Sequence, residues 1–167
     1  EKATLNALRT AHIPSNLSFE DCASFPVVLY TAFYAVVVKG GIQPGQTFLI
    51  HAGAGGVGSM AIQIAKASGA KVITTVSSKE KGDVAASLGA DVVVNYRDED
   101  FASRCASETG GQGVDAVIEM VATENFDGSC RALKKGGTMV LLGSGTGKNP
   151  TGSISYPPFY SKDIDVR

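Results

Sequence analysis

The chain has 167 residues, 44% of them hydrophobic and 19% charged, which is the composition of an ordinary globular protein with one main core. Its formal net charge of −1 gives no electrostatic reason to expect nucleic acid or an anionic membrane as a partner. No apolar run reaches the roughly 20 residues of a membrane span, and three scattered cysteines indicate a reducing, cytoplasmic setting.

The first 40 residues are expected to be largely helical. Ser18 and Asp21 have the spacing of a capping box, so a short helix should begin there. A second helix should begin at Pro26 and continue to Gly40, and its sequence, PVVLYTAFYAVVVKGG, is apolar on every side. Such a helix should be buried, and a second domain or a partner subunit would have to cover it.

The rest of the chain alternates short β-branched runs with helical patterns. Five runs are nearly continuous in apolar residues, as expected of strands buried on both faces of a parallel sheet. They are Thr47–Ile50, Lys71–Val76, Asp91–Tyr96, Val114–Met120 and Thr138–Gly143. With right-handed crossovers, this order predicts an α/β fold of the Rossmann type, a doubly wound parallel sheet with helices on both faces. The final DIDVR should begin a sixth strand.

Two of the intervening helices have predictable ends. The helix after the first strand should end at Gly69, in a left-handed turn that glycine adopts easily. A later helix should begin with Thr123 as its cap and continue past Leu133 to Gly136.

A glycine-rich stretch, HAGAGGVG, separates the first strand from its helix. In a βαβ unit, the spacing Gly53-x-Gly55-x-x-Gly58 is typical of dinucleotide binding. The first glycine permits a tight turn, the second lets the backbone approach a pyrophosphate, and the third lets helix and strand pack closely. Unpaired N–H groups at the helix start, including those of Gly56 and Val57, would face the phosphates. The alternative is a glycine-rich turn that binds nothing.

The end of the second strand indicates which nucleotide fits. An NAD site usually carries an acidic residue there to bind the ribose hydroxyls, and a methyltransferase would need one as well. Here the hydroxyls of Ser77 and Ser78 and the ammonium groups of Lys79 and Lys81 occupy that place. Glu80 falls in the next helical turn and should point away. The sequence therefore predicts NADPH as cofactor. The alternative is that the lysines are only solvent-exposed residues at the start of a helix.

Four stretches occur in the order seen in a known superfamily: LIHAGAGGVGSMAIQIAKASGAKVITTVSSKEK, LGADVVVNY, TGGQGVDAVIEM and LKKGGTMVLLG. From about Ile13 to Gly147 the chain resembles the medium-chain dehydrogenase/reductase superfamily, and within it the zinc-free quinone oxidoreductases, including the ζ-crystallin type. Relatives often have alanine at the position of Gly53, and we expect glycine in its place to be harmless.

The resemblance implies further contacts with the cofactor. Ser77 and Lys81 lie where relatives hold the 2′-phosphate, and Tyr96 lies where a tyrosine packs near the adenosine end. The contacts implied at the nicotinamide end are Thr31, Gly143 and Ser144. Alternatively, Tyr96 is only an aromatic residue at the end of a strand, and the Thr31 hydroxyl only donates to a helix carbonyl.

The resemblance also bears on metal binding. Zinc-dependent relatives carry a cysteine four positions before the threonine of the TA helix, and here that position is Val27. Cys22 has no His or Cys at ligand spacing, so we expect no metal. His51 ends the first strand without a neighbour in sequence that would form a catalytic dyad, and we interpret it as a structural histidine.

In the family, a GroES-like catalytic domain precedes this region and the chain returns to it afterwards. Residues 1–40 are therefore expected to be a helical lead-in that contacts that absent domain. Residues 41–167 are expected to be the NADP-binding domain, interrupted in or before a sixth strand. The implied function is NADPH-dependent reduction of a quinone or another α,β-unsaturated carbonyl compound, without zinc, by a full-length homodimer. No catalytic residue is identified, and this part alone should have little activity.

Two other functions remain open at this point. One is an enoyl-thioester reductase, including a module of a fatty-acid or polyketide synthase. The other is a non-catalytic NADPH-binding protein, crystallin-like or RNA-binding, although the net charge of −1 argues against RNA.

Overall fold

The computed structural model describes residues 4, 6, 7, 10–143 and 161–167. Its strands are β1 (Thr47–Ile50), β2 (Lys71–Val76), β3 (Val92–Asn95), β4 (Val114–Glu119), β5 (Leu133–Leu141) and β6 (Asp165–Val166). Its helices are α1 (Phe19–Ser24), α2 (Pro26–Phe33), α3 (Gly56–Ala67), α4 (Lys79–Ser87), α5 (Phe101–Glu108) and α6 (Phe126–Ala132). A π-helical segment, Tyr34–Lys39, continues α2. None of the described helices has the length and apolar character that a membrane span requires.

The six strands form one parallel sheet in the order β3-β2-β1-β4-β5-β6. The chain moves outward from β1 through β2 to β3, then returns and moves outward again on the other side of β1. The strand order reverses between β1 and β4, and in such sheets a crevice forms at the carboxyl ends of the strands at this point. The predicted doubly wound fold, with a sixth strand at the end of the chain, is confirmed.

Helices cover both faces of the sheet, because successive side chains of a strand point to opposite faces. Phe48 and Ile50 of β1 belong to the core formed with α3, α4 and the segment that follows α2. Leu49, between them, belongs to the core formed with α5 and α6. All three side chains are fully buried, so β1 lies at the centre of the domain.

The two helices predicted within the first 40 residues form, but the described residues 10–17 are not helical, and α2 is less buried than predicted. Ser18 accepts a hydrogen bond from the N–H of Asp21, and the Asp21 carboxylate accepts one from the N–H of Ser18, so the capping box is confirmed. Pro26 occupies the start of α2. Ala32 is the single buried residue of α2, whereas 79% of Val27 is exposed. The helix therefore packs on one side and leaves an apolar face open to solvent.

The chain between α6 and β5 differs from the prediction. The helix begins after Asn125 rather than at a Thr123 cap. It ends before Leu133, because that residue already pairs with Val114 of β4. Gly136, predicted to end the helix, instead lies within β5 and has a left-handed φ of 71°.

Asp100 joins α5 to α6 and should make stability sensitive to acid. Its carboxylate accepts a hydrogen bond from the N–H of Ser103 at 2.9 Å and lies 3.2 Å from the Arg131 guanidinium. The hydrogen bond from Arg131 is the main reason that the pKa of Asp100 is lowered to about 2. Between about pH 4 and pH 2 the unfolded chain therefore binds the extra proton first, and stability falls as the pH falls.

We expect Asp100→Asn to remove this acid-dependent part while keeping a helix cap, since Asn caps as well as Asp. The pair is exposed, so the stability difference at pH 7 should be less than about 1 kcal/mol. Urea unfolding of both proteins at several pH values checks this. The account of Asp100 fails if the difference between them stays constant from pH 7 to pH 2.

Candidate functional site

The glycine-rich stretch forms a tight turn between β1 and α3 at the carboxyl edge of the sheet. Ala52 begins the turn with a left-handed φ of 53°, a conformation that side-chain-bearing residues rarely adopt. The carbonyl of Ala52 accepts a hydrogen bond from the N–H of Gly55 at 2.8 Å. The N–H of Gly53 donates to the carbonyl of Thr75 at 3.0 Å, which attaches the turn to β2.

Two of the glycines are required by close packing inside the chain. A Cβ on Gly58 would lie 2.2 Å from the carbonyl oxygen of Ala52, so the helix can approach the turn only without a side chain. A Cβ on Gly56 would lie 2.9 Å from Cγ1 of Val28 in α2. The packing role predicted for Gly58 is thus observed, and Gly56 has a packing role that the sequence did not indicate.

Gly53 packs closely against β2 and α3. A Cβ there would lie 2.1 Å from Oγ1 of Thr74 and 3.1 Å from Cδ1 of Ile62. The Thr74 hydroxyl is fully buried and donates to the carbonyl of Ile50 at 2.6 Å, so the side chain is held in place. Alanine would therefore not fit here without a shift of Thr74. That glycine in place of the relatives' alanine is harmless stays a prediction.

Gly55 differs from the other three glycines because a side chain there would meet little of the protein. A Cβ there would meet one backbone oxygen, that of Ala52, at 3.2 Å. Gly55 is the N-cap of α3 and has no side chain to accept from the first helical N–H groups. Those N–H groups, including those of Gly56 and Val57, have no acceptor within the helix. The bare backbone at Gly55 therefore leaves donors available to a ligand.

A pocket of about 180 Å³ opens beside this turn. Its lining comes from the turn, from the end of β2 and the start of α4, and from the residue that follows β3. The residues that line it are Ala52, Ala54, Gly55, Thr75, Val76, Ser77, Lys81 and Tyr96. Four residues predicted from sequence, far apart along the chain, meet here, and none of the lining side chains is acidic.

The start of α4 provides the polar side of this pocket. Lys81 Nζ donates to Ser77 Oγ at 3.1 Å. Ser78 is the N-cap of α4 and accepts from the N–H of Lys81, so its side chain serves the helix and does not line the pocket. Lys79 forms an exposed ion pair with Asp83 at 2.7 Å. Of these two lysines, Lys81 therefore lines the pocket and Lys79 does not.

Glu80 lies outside the pocket, whereas Tyr96 lines it. A hydrogen bond from Ser78 holds the pKa of Glu80 below its usual value, and Glu80 does not line the pocket. Glu80 is therefore turned away from the pocket, as the sequence predicted. Tyr96 follows β3, and 53% of it is exposed, so its ring is free to contact a ligand.

The residues predicted for the nicotinamide end are less well defined. The Thr31 hydroxyl donates to the carbonyl of Val27 at 2.7 Å, which is the simpler alternative for this residue. Gly143 lies two residues after β5, where a Cβ would be 2.3 Å from the carbonyl oxygen of Met120. Ser144 lies outside the described residues. The contacts of all three with a cofactor stay predictions.

A buried polar network behind the turn was missed from the sequence. His51 Nε2 lies 3.0 Å from Ser129 Oγ and 3.3 Å from Glu119 Oε2. Its Nδ1 lies 2.9 Å from Thr75 Oγ1, and its ring packs edge-on against Phe101. Burial lowers the pKa of His51, although the Glu119 carboxylate opposes that shift, so the ring is neutral near pH 7. The reasoning that nothing pairs with His51 was wrong, while its burial supports a structural role.

The cysteines give no metal site. Among the described residues, no group of three or more His, Cys, Asp or Glu side chains could hold a metal ion. Burial raises the pKa of the Cys105 thiol to about 12 and that of Cys130 to about 11, so neither is a ready thiolate ligand. The prediction that the whole protein binds no metal stays a prediction.

Known proteins share both sequence and fold with this chain. A sequence model of the family described as zinc-binding dehydrogenase matches residues 56–167. Quinone oxidoreductase 1 of Escherichia coli (strain K12) is 39% identical over 139 residues, which cover 83% of this chain and 42% of that protein. The hybrid PKS-NRPS synthetase pynA of Aspergillus niger is 40% identical over 131 residues, which cover 77% of this chain and 3% of that protein.

A solved structure agrees with these sequence matches. The Escherichia coli quinone oxidoreductase complexed with NADPH has a TM-score of 0.85 and 35% sequence identity, over 94% of this chain and 48% of that one. The chain thus spans less than half the length of these relatives. Both its sequence and its sheet match theirs, as the four stretches predicted. The chain belongs to the zinc-binding dehydrogenase family, within the medium-chain dehydrogenase/reductase superfamily.

Proposed function

We propose that this chain is the cofactor-binding domain of an NADPH-dependent oxidoreductase that reduces quinones or other α,β-unsaturated carbonyl compounds. The observation that carries the proposal is the pocket in which Gly55, Ser77, Lys81 and Tyr96 lie together without an acidic side chain. The similarity to a quinone oxidoreductase whose structure contains NADPH supports it.

The described residues fit this cofactor. The pyrophosphate would lie against the first N–H groups of α3, where those of Gly56 and Val57 and the helix dipole favour an anion. The 2′-phosphate would bind the Ser77 hydroxyl and the Lys81 ammonium group, and the Tyr96 ring would pack against the adenosine. An acidic residue at the same place would repel that phosphate. When bound, NADPH supplies the hydride.

We propose that the reaction needs no zinc, despite the description of the family. The described residues do not fit a zinc site, because no cluster of ligands occurs among them. Without a metal to polarise a carbonyl, the acceptor must itself be electrophilic, as an enone or quinone is. The cytoplasmic location and the homodimeric state stay predictions.

The exposed apolar face of α2 and the following π-helical segment is proposed to contact the rest of the full-length protein. Val27, Tyr30 and Phe33 are 79%, 69% and 48% exposed, and the rings of Tyr30 and Tyr34 stack with centroids 6.2 Å apart. An apolar surface of this kind commonly marks an interface. The relatives are more than twice as long as this chain, so residues 1–40 would join the Rossmann domain to the remainder.

A second candidate is an enoyl-thioester reductase within a multi-domain synthase. It is supported by the 40% identity to the PKS-NRPS synthetase, of which this chain would span a small part. The same cofactor pocket would serve both reactions, because hydride transfer to an activated double bond is common to them.

Turnover by the full-length protein separates the two candidates. We expect NADPH oxidation with a naphthoquinone to exceed that with crotonyl thioester by at least about tenfold in kcat/KM. Faster turnover of the thioester would favour the second candidate. No oxidation with either acceptor would contradict both.

A further inference from the structure

We propose that Glu119 is a positioning residue that, through buried hydrogen bonds, fixes the phosphate-binding turn at Ala52. The proposed function enters only through the identity of the ligand as NADPH. Glu119 is fully buried at the end of β4, and hydrogen bonds connect it to residues of the pocket wall.

Glu119 accepts hydrogen bonds through both of its oxygens. Its Oε1 accepts from the N–H groups of Val121 and Ala122, at 2.8 Å and 3.0 Å. Its Oε2 accepts from the Ser129 hydroxyl at 2.6 Å. The Glu119 carboxylate is the acceptor in all three bonds, so the direction of each bond is determined by Glu119.

This direction determines which nitrogen of His51 carries the proton. The single proton of the Ser129 hydroxyl is engaged by Glu119, so Ser129 Oγ can only accept from His51 Nε2, 3.0 Å away. Nε2 must therefore be protonated. Nδ1 must then be an acceptor, because the amide nitrogen of Asn125 lies 3.5 Å from it and can only donate, and because the buried ring is neutral.

The bare Nδ1 in turn orients the hydroxyl of Thr75. That hydroxyl donates to Nδ1 at 2.9 Å, which leaves Thr75 Oγ1 to accept from the N–H of Ala52 at 3.3 Å. Ala52 has the left-handed φ of the turn, and both Ala52 and Thr75 line the pocket. A buried carboxylate thus sets a chain of hydrogen bonds that ends on the backbone of the phosphate-binding turn.

Replacing Glu119 by glutamine should reverse the direction of these hydrogen bonds. To keep the bonds from Val121 and Ala122, the amide oxygen must take the place of Oε1, so the amide NH₂ faces Ser129. Ser129 would then donate to His51 Nε2, and the ring would become protonated at Nδ1. Thr75 Oγ1 would then accept from Nδ1–H, and its own buried proton would lose its acceptor. The Thr75 side chain would rotate to find another acceptor, which would weaken the bond that it accepts from the Ala52 N–H.

The test is the tautomer of His51 in wild type and in Glu119→Gln, measured by ¹⁵N NMR of histidine-labelled chain. The chain has two histidines, so His12→Gln identifies the signals of His51. We expect protonated Nε2 in wild type and protonated Nδ1 in the variant. Exchange of the Ala52 amide should become faster, and the Kd for NADPH should rise about tenfold.

Ser129→Ala is the matched control. It leaves Glu119 Oε2 3.3 Å from His51 Nε2, so the tautomer should stay as in wild type. Its Kd for NADPH should stay within about threefold of the wild-type value, since the turn keeps its partner. If Glu119→Gln does not fold, the wild-type and Ser129→Ala tautomers still decide the proposal.

The failures are distinguishable. Protonated Nδ1 in wild type, an unchanged tautomer in Glu119→Gln, or an unchanged Kd together with unchanged Ala52 exchange would overturn the positioning role. If wild type binds no NADPH, the proposed function fails. The tautomer and amide exchange then decide the positioning role without a ligand.

Discussion

Gly58→Ala should lower the free energy of unfolding by about 3 kcal/mol, the upper part of the range for overpacking a well-packed site. The added Cβ would lie 2.2 Å from the oxygen and 2.9 Å from the carbon of the Ala52 carbonyl. Both are backbone atoms, so no side-chain rotation relieves the contact, and the turn or α3 must move. Urea unfolding of the variant and of wild type measures the change.

Gly55→Ala is the control for this prediction. The same methyl group added three residues earlier meets one backbone oxygen at 3.2 Å, so stability should fall by less than about 1 kcal/mol. The methyl would instead stand in the pocket, and NADPH should bind at least about tenfold more weakly. Equal urea midpoints for Gly58→Ala and wild type would contradict the packing described for the turn.

Lys81→Ala should reduce the preference for NADPH over NADH by about 1–3 kcal/mol, the range for a charge-assisted contact with a phosphate. The affinity for NADH should change little, because NADH has no 2′-phosphate for Lys81 to bind. Calorimetric titration of wild type and variant with each nucleotide gives the ratio of affinities.

Lys79→Ala is the matched control for this charge. Lys79 begins the same helix but pairs with Asp83 and does not line the pocket. Its removal should leave the NADPH/NADH ratio nearly unchanged. A ratio that falls equally in both variants would indicate a general effect of positive charge. An unchanged ratio in Lys81→Ala would show that the 2′-phosphate does not bind at Lys81.

The fold was predictable because its signals are local. The apolar runs identify β1, β2 and β4 almost to the residue, and their alternation with helices limits the topology to a doubly wound sheet. The end of α6 was not predictable in this way. Leu133 has a helical pattern in sequence, but pairing with Val114 in a neighbouring strand places it in β5.

The residues of the candidate site were likewise predictable only where the signal is local in the sequence. Gly55, Ser77 and Lys81 were predictable because each belongs to a motif at one strand end. The close packing of Gly53 against Thr74, and the pairing of His51 with Glu119, instead depend on residues that are distant in sequence. A buried acidic residue in the apolar run VDAVIEM was the one local signal for the network, since an acidic side chain is rarely buried without partners.

A crystal structure of this chain with NADPH bound would show whether the pocket holds the cofactor as proposed. We expect the diphosphate within hydrogen-bond distance of the Gly56 and Val57 amides, and the 2′-phosphate at Ser77 Oγ and Lys81 Nζ. A pocket that stays empty at saturating NADPH, or a nucleotide bound with its phosphates away from this turn, would contradict it.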